Sequence, residues 1–176
     1  MTLDQYYPYY GSRLDVRDFD GYGIYGIAAW DDIAGEWYAL GEGVSGSVYA
    51  LAIFQGELWV GGEFYESNGL LRWNGTEWLE PPRIPRQHHG VTALGAFDGF
   101  MYAAIHWESQ PDGNTWALLR SDGASPWAPM NAGGGGTVTL VSPLVDGIVV
   151  GGSFDSQGAI PAHGFTRWNG QAWSPV

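Results

Sequence analysis

Apolar residues run along this chain in short bursts, each closed by turn-forming residues. Nowhere do they keep the spacing of an amphipathic helix. One burst covers Val48–Phe54, turns at Gln55-Gly56 and resumes over Glu57–Phe64. Such runs, bounded by Gly, Asn and Asp, read as strands joined by tight hairpins. The pattern predicts strands at Val48–Phe54, Glu57–Phe64, Gly69–Trp73 and Glu77–Leu79, then at Val91–Phe97, Phe100–Ile105, Trp116–Arg120 and Trp127–Pro129. A third set falls at Val138–Leu144, Gly147–Phe154, Gly164–Trp168 and Ala172–Pro175. An earlier set comprises Arg13–Phe19, Gly23–Trp30 and Glu36–Leu40, with an opening strand within Gln5–Tyr10.

These sets are copies of one another. Leu58-Trp59-Val60-Gly61-Gly62-Glu63-Phe64 recurs as Ile148-Val149-Val150-Gly151-Gly152-Ser153-Phe154. Arg72-Trp73-Asn74-Gly75, followed by Trp78, recurs as Arg167-Trp168-Asn169-Gly170, followed by Trp173. A weaker copy reads Met101-Tyr102-Ala103-Ala104-Ile105, then Arg120-Ser121-Asp122-Gly123 and Trp127, with Ala103-Ala104 aligned to Gly-Gly. The first copy carries Leu14–Phe19, Trp30-Asp31-Asp32 and Trp37. A strand-built period of about 40–50 residues is a propeller signature. The chain is therefore read as one domain, 1–176, in units 1–46, 47–90, 91–136 and 137–176.

The apolar-Val-Gly-Gly, Arg-Trp-Asn-Gly and trailing Trp pattern resembles kelch-type β-propeller repeats over residues 12–176. It is most similar to the divergent repeats of microbial secreted and cell-surface proteins. The resemblance implies an all-β fold of four-stranded antiparallel blades, about four in this chain. These either close alone or belong to a larger propeller or assembly. It does not imply an activity, because such blades serve enzymes and binding scaffolds alike.

Composition narrows the function. With 10 Trp, 10 Tyr, 7 Phe and 28 Gly, the chain suits ring-packed strands and tight turns. The net charge is −12, and all seven basic residues are Arg, which argues against nucleic acid as a partner. No Lys is present for Schiff-base chemistry and no Cys for disulfides, thiolate catalysis or sulfur-ligated metals. No apolar stretch approaches the ~20 residues that span a bilayer. The first twenty residues lack the apolar run of a signal peptide, although the repeat type favours an extracellular or cell-surface setting.

Turn lengths separate the two ends of the predicted blades. Gln55-Gly56, Asp98-Gly99 and Asp146-Gly147, with Asn74-Gly75, Asp122-Gly123 and Asn169-Gly170, place short turns at one end. Longer connections, Glu80–Gly90, His106–Thr115, Met130–Gly136 and Asp155–His163, gather at the other, and Met130–Gly136 reads as a flexible loop. Binding residues concentrate on loops held by a scaffold. The candidates are Tyr65, Arg83, Arg86, His88, His89, His106, Trp107 and His163.

No catalytic or metal-ligating set is assigned and no cofactor is expected. The four His residues, and Asp15, Asp18 and Asp20 before Gly21, each resemble metal ligands only in part. The expected function is a non-catalytic scaffold that recognises a protein or glycan through the long-loop end. One alternative is a building block whose units self-associate into a ring, filament or complex. Another is a polysaccharide hydrolase or lyase using carboxylates such as Glu63, Glu66, Glu108, Asp112 and Asp155.

Overall fold

The computed structural model describes residues 26–64, 67–84, 90–109, 113–158 and 160–176. These residues form antiparallel strands and turns, with no helix among them. A first hairpin pairs β1 (Ala28–Asp31) with β2 (Glu36–Ala39). Sheet I is a meander of β3 (Gly46–Phe54), β4 (Glu57–Phe64), β5 (Leu70–Trp73) and β6 (Trp78–Leu79). Sheet II repeats it with β7 (Gly90–Phe97), β8 (Phe100–Ser109), β9 (Gly113–Ser121) and β10 (Ala128–Gly135). Sheet III begins with β11 (Thr137–Leu144) and β12 (Gly147–Ser153). A small hairpin, β13 (Ser156–Gln157) and β14 (Ile160–Pro161), then interrupts it before β15 (Phe165–Trp168) and β16 (Trp173–Pro175) complete it.

The three sheets agree residue by residue. Each has a β-bulge at the same place in its first strand, between Val48 and Ala50, Val91 and Ala93, and Val138 and Leu140. An arginine occupies the same third-strand position in each. Arg72 pairs with Glu57, Arg167 with Asp146, and Arg120 lies 4.7 Å from the Phe100 ring centre. The register aligns Ala104-Ile105, not Ala103-Ala104, with the Gly pair of sheet I, because Ala93 pairs with Ala104 as Ala50 pairs with Gly61. The glycine pair is sterically required. A Cβ on Gly62 would sit 2.1 Å from the Ser47 carbonyl, and one on Gly61 would sit 2.7 Å from Val91 of the next sheet.

Packing runs from sheet to sheet. Phe54, Trp59 and Leu70 of sheet I meet Val91, Met101 and Leu119 of sheet II. Tyr102, Trp116 and Leu118 of sheet II meet Val138, Ile148 and Val150 of sheet III. On the opposite side of sheet I, Val60 and Phe64 cover Ile27, Leu40 and Val44, which flank or follow the first hairpin. The final tryptophan of each sheet clasps its predecessor by donating its indole N–H to a backbone carbonyl. Trp78 donates to Leu40 at 2.7 Å, Trp127 to Pro82 at 2.8 Å and Trp173 to Met130 at 3.3 Å.

Several expectations need correction. His106–Thr115 is not a long loop: β8 and β9 stay paired from Met101↔Ser121 to Ser109↔Gly113, so His106 and Trp107 lie on a strand. Met130–Gly136 is not a free loop either. Its residues up to Gly135 belong to β10, which bulges between Pro129 and Ala132. The sheet III turn is Val145-Asp146, one residue earlier than Asp146-Gly147, and Gly147 opens β12. Of the first unit, the outer hairpin is described, and Arg13–Phe19 and Gln5–Tyr10 lie outside the described residues, as does Asp15–Asp20.

Candidate binding site

The two ends of the sheets are built differently. At the short-turn end, each outer hairpin closes with the same side-chain cap. Asp31 Oδ1 accepts the backbone N–H groups of Ile33 and Ala34, at 2.7 and 3.0 Å. Asn74, Asp122 and Asn169 repeat this with Thr76 and Glu77, Ala124 and Ser125, and Gln171 and Ala172. Asp and Asn suit this place because their oxygen reaches N–H groups two and three residues on. The donors hold the Asp122 carboxyl below the usual carboxylate range, Ser125 first and Ala124 next; Ala34 and Ile33 do the same for Asp31. Gln55 of sheet I donates to the Asp122 carbonyl of sheet II at 2.9 Å, joining the short-turn ends of neighbouring sheets.

At the other end each connection is built its own way. Between sheets I and II, Asn68 donates to the carbonyl of buried Ile84 at 2.7 Å and Trp127 to that of Pro82, which leaves Arg83 exposed between two fixed points. In sheet II, His106 stands opposite Gly90 on one side and Trp116 on the other. Trp107 pairs with Thr115, whose hydroxyl donates to the Trp107 carbonyl at 3.2 Å. The Trp107 ring is half-buried against the apolar cluster shared by sheets I and II, which favours extending the hairpin beyond its predicted end. In sheet III, Gly158 donates to the Gly133 carbonyl at 2.9 Å, docking the β13–β14 hairpin on β10. Beyond it, exposed His163 adopts a left-handed φ of 39°.

Trp107 and Thr115 wall one side of a groove of about 430 Å³ on sheet II, with Ala117, Pro129 and Gly133 along it. Gly133 is constrained: a Cβ there would lie 2.5 Å from the Trp116 carbonyl. The described part of its lining offers an aromatic wall, a hydroxyl and backbone, with no ionisable side chain among the described residues. Such a surface suits a neutral ligand, because an ion would be desolvated with no described side chain to pair it. A second groove, of about 490 Å³, lies between the first hairpin and sheet I, where Glu42, Glu77 and Glu80 surround Trp73 and Trp78.

Arg83, His106, Trp107 and His163 thus belong to the long-connection ends of three successive sheets, and of these only Trp107 lines the groove. Tyr65, Arg86, His88 and His89 lie outside the described residues. Thr115, Pro129 and Gly133 were not singled out from the sequence; the cue would have been that Trp107 must face a partner on a returning strand. Among the carboxylates considered for hydrolysis, Glu63 accepts the Tyr49 hydroxyl at 2.9 Å and Asp155 is exposed. Glu66 and Asp112 lie outside the described residues. No group of three or more His, Asp and Glu among the described residues is placed to hold a metal ion. No family model matches the chain, and no curated protein matches it at a significant level.

Proposed function

We propose that this chain is a non-catalytic, kelch-like β-propeller scaffold that binds a glycan or protein ligand at its long-connection end. On this reading sheets I to III are successive blades and the first hairpin is the outer half of another. The observation that carries the functional part is the groove beside Trp107, whose described lining holds no charged side chain. An indole face with a nearby hydroxyl and exposed peptide groups matches the alternating apolar and hydroxyl-bearing surfaces of a neutral sugar. The acidic molecule around it, at a net charge of −12, disfavours polyanionic glycans. Support also comes from the contrast between ends: the short turns repeat one cap, whereas the long connections differ from sheet to sheet.

The test is a panel of immobilised neutral and acidic glycans and extended peptides, probed with the parent and with Trp107→Ala. Circular dichroism shows whether the variant keeps its fold. Binding to neutral members, weakened about tenfold or more by Trp107→Ala, is expected for a central aromatic contact. A silent panel, or equal binding by the folded variant, overturns the reading.

A further inference from the structure

Three Asn-Gly steps occur in this chain, at Asn68-Gly69, Asn74-Gly75 and Asn169-Gly170, and the fold holds them in two different ways. An Asn before Gly is open to attack on its own side chain, because no Cβ screens the next backbone nitrogen. Asn74 and Asn169 lie exposed on hairpin turns, and each Oδ1 accepts the N–H groups two and three residues ahead, at 2.9 to 3.0 Å. The Thr76 hydroxyl adds a third donor to Asn74 at 2.9 Å. Among the described residues neither side chain donates its Nδ2 amide. The glycines that follow, Gly75 and Gly170, stand in open space.

Asn68 is held by its other end. It is partly buried and its Nδ2 donates to the carbonyl of buried Ile84 at 2.7 Å, so the nitrogen and not the oxygen is engaged. Gly69 is buried, and its carbonyl accepts the Gly62 N–H at 3.0 Å. A second observation concerns what the turns tolerate. Asp31 and Asp122 fill the same cap position as Asn74 and Asn169, with the same bonds to the N–H groups ahead. The cap uses one side-chain oxygen, so an Asp formed from Asn keeps it.

We infer that Asn74 and Asn169 are sites of spontaneous deamidation, and that the bond to Ile84 spares Asn68. The Gly75 nitrogen attacks Asn74 Cγ, a C–N bond forms, and the Cγ–Nδ2 bond breaks. Nδ2 leaves as ammonia, carrying the proton that Gly75 gave up. Water then opens the five-membered imide at either carbonyl, and Asn169 reacts in the same way through Gly170. The N–H groups on Oδ1 face the oxygen on which negative charge develops during the attack, as oxyanion donors do. At Asn68 the leaving nitrogen is held, and its bond to Ile84 must break first. Opening to Asp restores the cap with one added negative charge. Opening to isoaspartate lengthens the backbone and loses the cap beside the Trp73–Trp78 or Trp168–Trp173 ring pair. The inference stands on the turns and not on the ligand reading, so either can fail alone.

The experiment incubates the parent in warm, mildly alkaline buffer, folded and in urea, and follows each Asn-Gly peptide by mass spectrometry for the mass gain of amide-to-acid conversion. In the folded chain, Asn74 and Asn169 are expected to convert about tenfold faster than Asn68 or more, since Asn68 reacts only after local opening. In urea the three rates are expected to converge. Asn74→Asp and Asn169→Asp are expected to keep the parent's unfolding midpoint. Equal conversion of Asn68 in the folded chain overturns the inference, and so does the absence of conversion at Asn74 and Asn169. An Asn68 that stays slow in urea would assign its protection to the neighbouring sequence and overturn the role of Ile84. A clear loss of stability in either Asp variant would overturn the claim that the product keeps the cap.

Discussion

The short-turn end and the long-connection end of these sheets come from the same repeat, yet only one of them is copied faithfully. Four outer hairpins close on an Asx cap of one design, and behind the Asp122 turn stand buried rings: Trp59 lies 5.8 Å from Phe54 and 6.4 Å from Trp127. At the opposite end the chain is pinned by an asparagine in one connection, by a prolonged hairpin in the next and by a small docked hairpin in the third. A feature that recurs in every unit answers a need common to all units, namely closing a hairpin and sealing the sheet beside it. A feature that differs in every unit is free to serve a particular ligand.

Perturbing the common end should cost most. Trp59 is 1% exposed, and Trp59→Ala is expected to destabilise the chain by about 3–5 kcal/mol in denaturant unfolding, as for other buried ring deletions. Trp107→Ala, at the variable end, should cost about 1 kcal/mol because its ring is already partly solvated. Equal losses from the two would erase the distinction.

The clasps between sheets come next. Trp127→Phe keeps an aromatic ring, smaller than the indole, but loses the N–H donated to Pro82, for an expected loss of about 1 kcal/mol or somewhat more. An unfolding midpoint indistinguishable from the parent's would mean that ring packing alone joins the sheets.

The caps predict a pH dependence. Backbone donors lower the folded Asp122 carboxyl below its ordinary 3.8, so the folded chain takes up a proton less readily than the unfolded one. The cap's contribution is complete above that ordinary value and is lost as the pH falls through the lowered one. Asp122→Asn, which keeps the accepting oxygen, should flatten this part of the stability profile measured from about pH 5 to about pH 2. An unchanged profile would show that the Asp122 cap does not link folding to protonation.

The smallest effect is expected at His163, an exposed residue in the left-handed region. His163→Gly relieves that backbone preference and should leave stability equal or raised by less than about 1 kcal/mol. A clear loss in thermal unfolding would show that the imidazole holds the sheet III connection in place.

Much of this fold could be read from the residues, for identifiable reasons. Gly61-Gly62, Asn74-Gly75 and their copies at Gly151-Gly152 and Asn169-Gly170 mark close approaches and hairpin turns, so strand order followed from them. Ala132-Gly133-Gly134-Gly135 was misread because glycine has little strand preference of its own. Pairing with Thr115–Leu118 imposes the strand, and crowding by Trp116 at Gly133 and by Ser156 at Gly134 excludes larger residues there. The first-strand bulges were equally hidden: one extra residue at Tyr49, Thr92 or Thr139 leaves no mark in composition and only a slight one in alternation. Of the site, Trp107 was legible as an aromatic beyond its predicted strand. Thr115, Pro129 and Gly133 join it through a cross-strand register that local pattern does not specify.

Whether recognition belongs to the variable end is decided by an amide-resolved NMR titration with the strongest binder from the glycan and peptide panel. Shifts are expected to concentrate at Trp107, Thr115, Ala117 and Gly133, with Gly75, Gly123 and Gly170 unmoved. Shifts confined to those three turn glycines, with the groove residues silent, would contradict that placement.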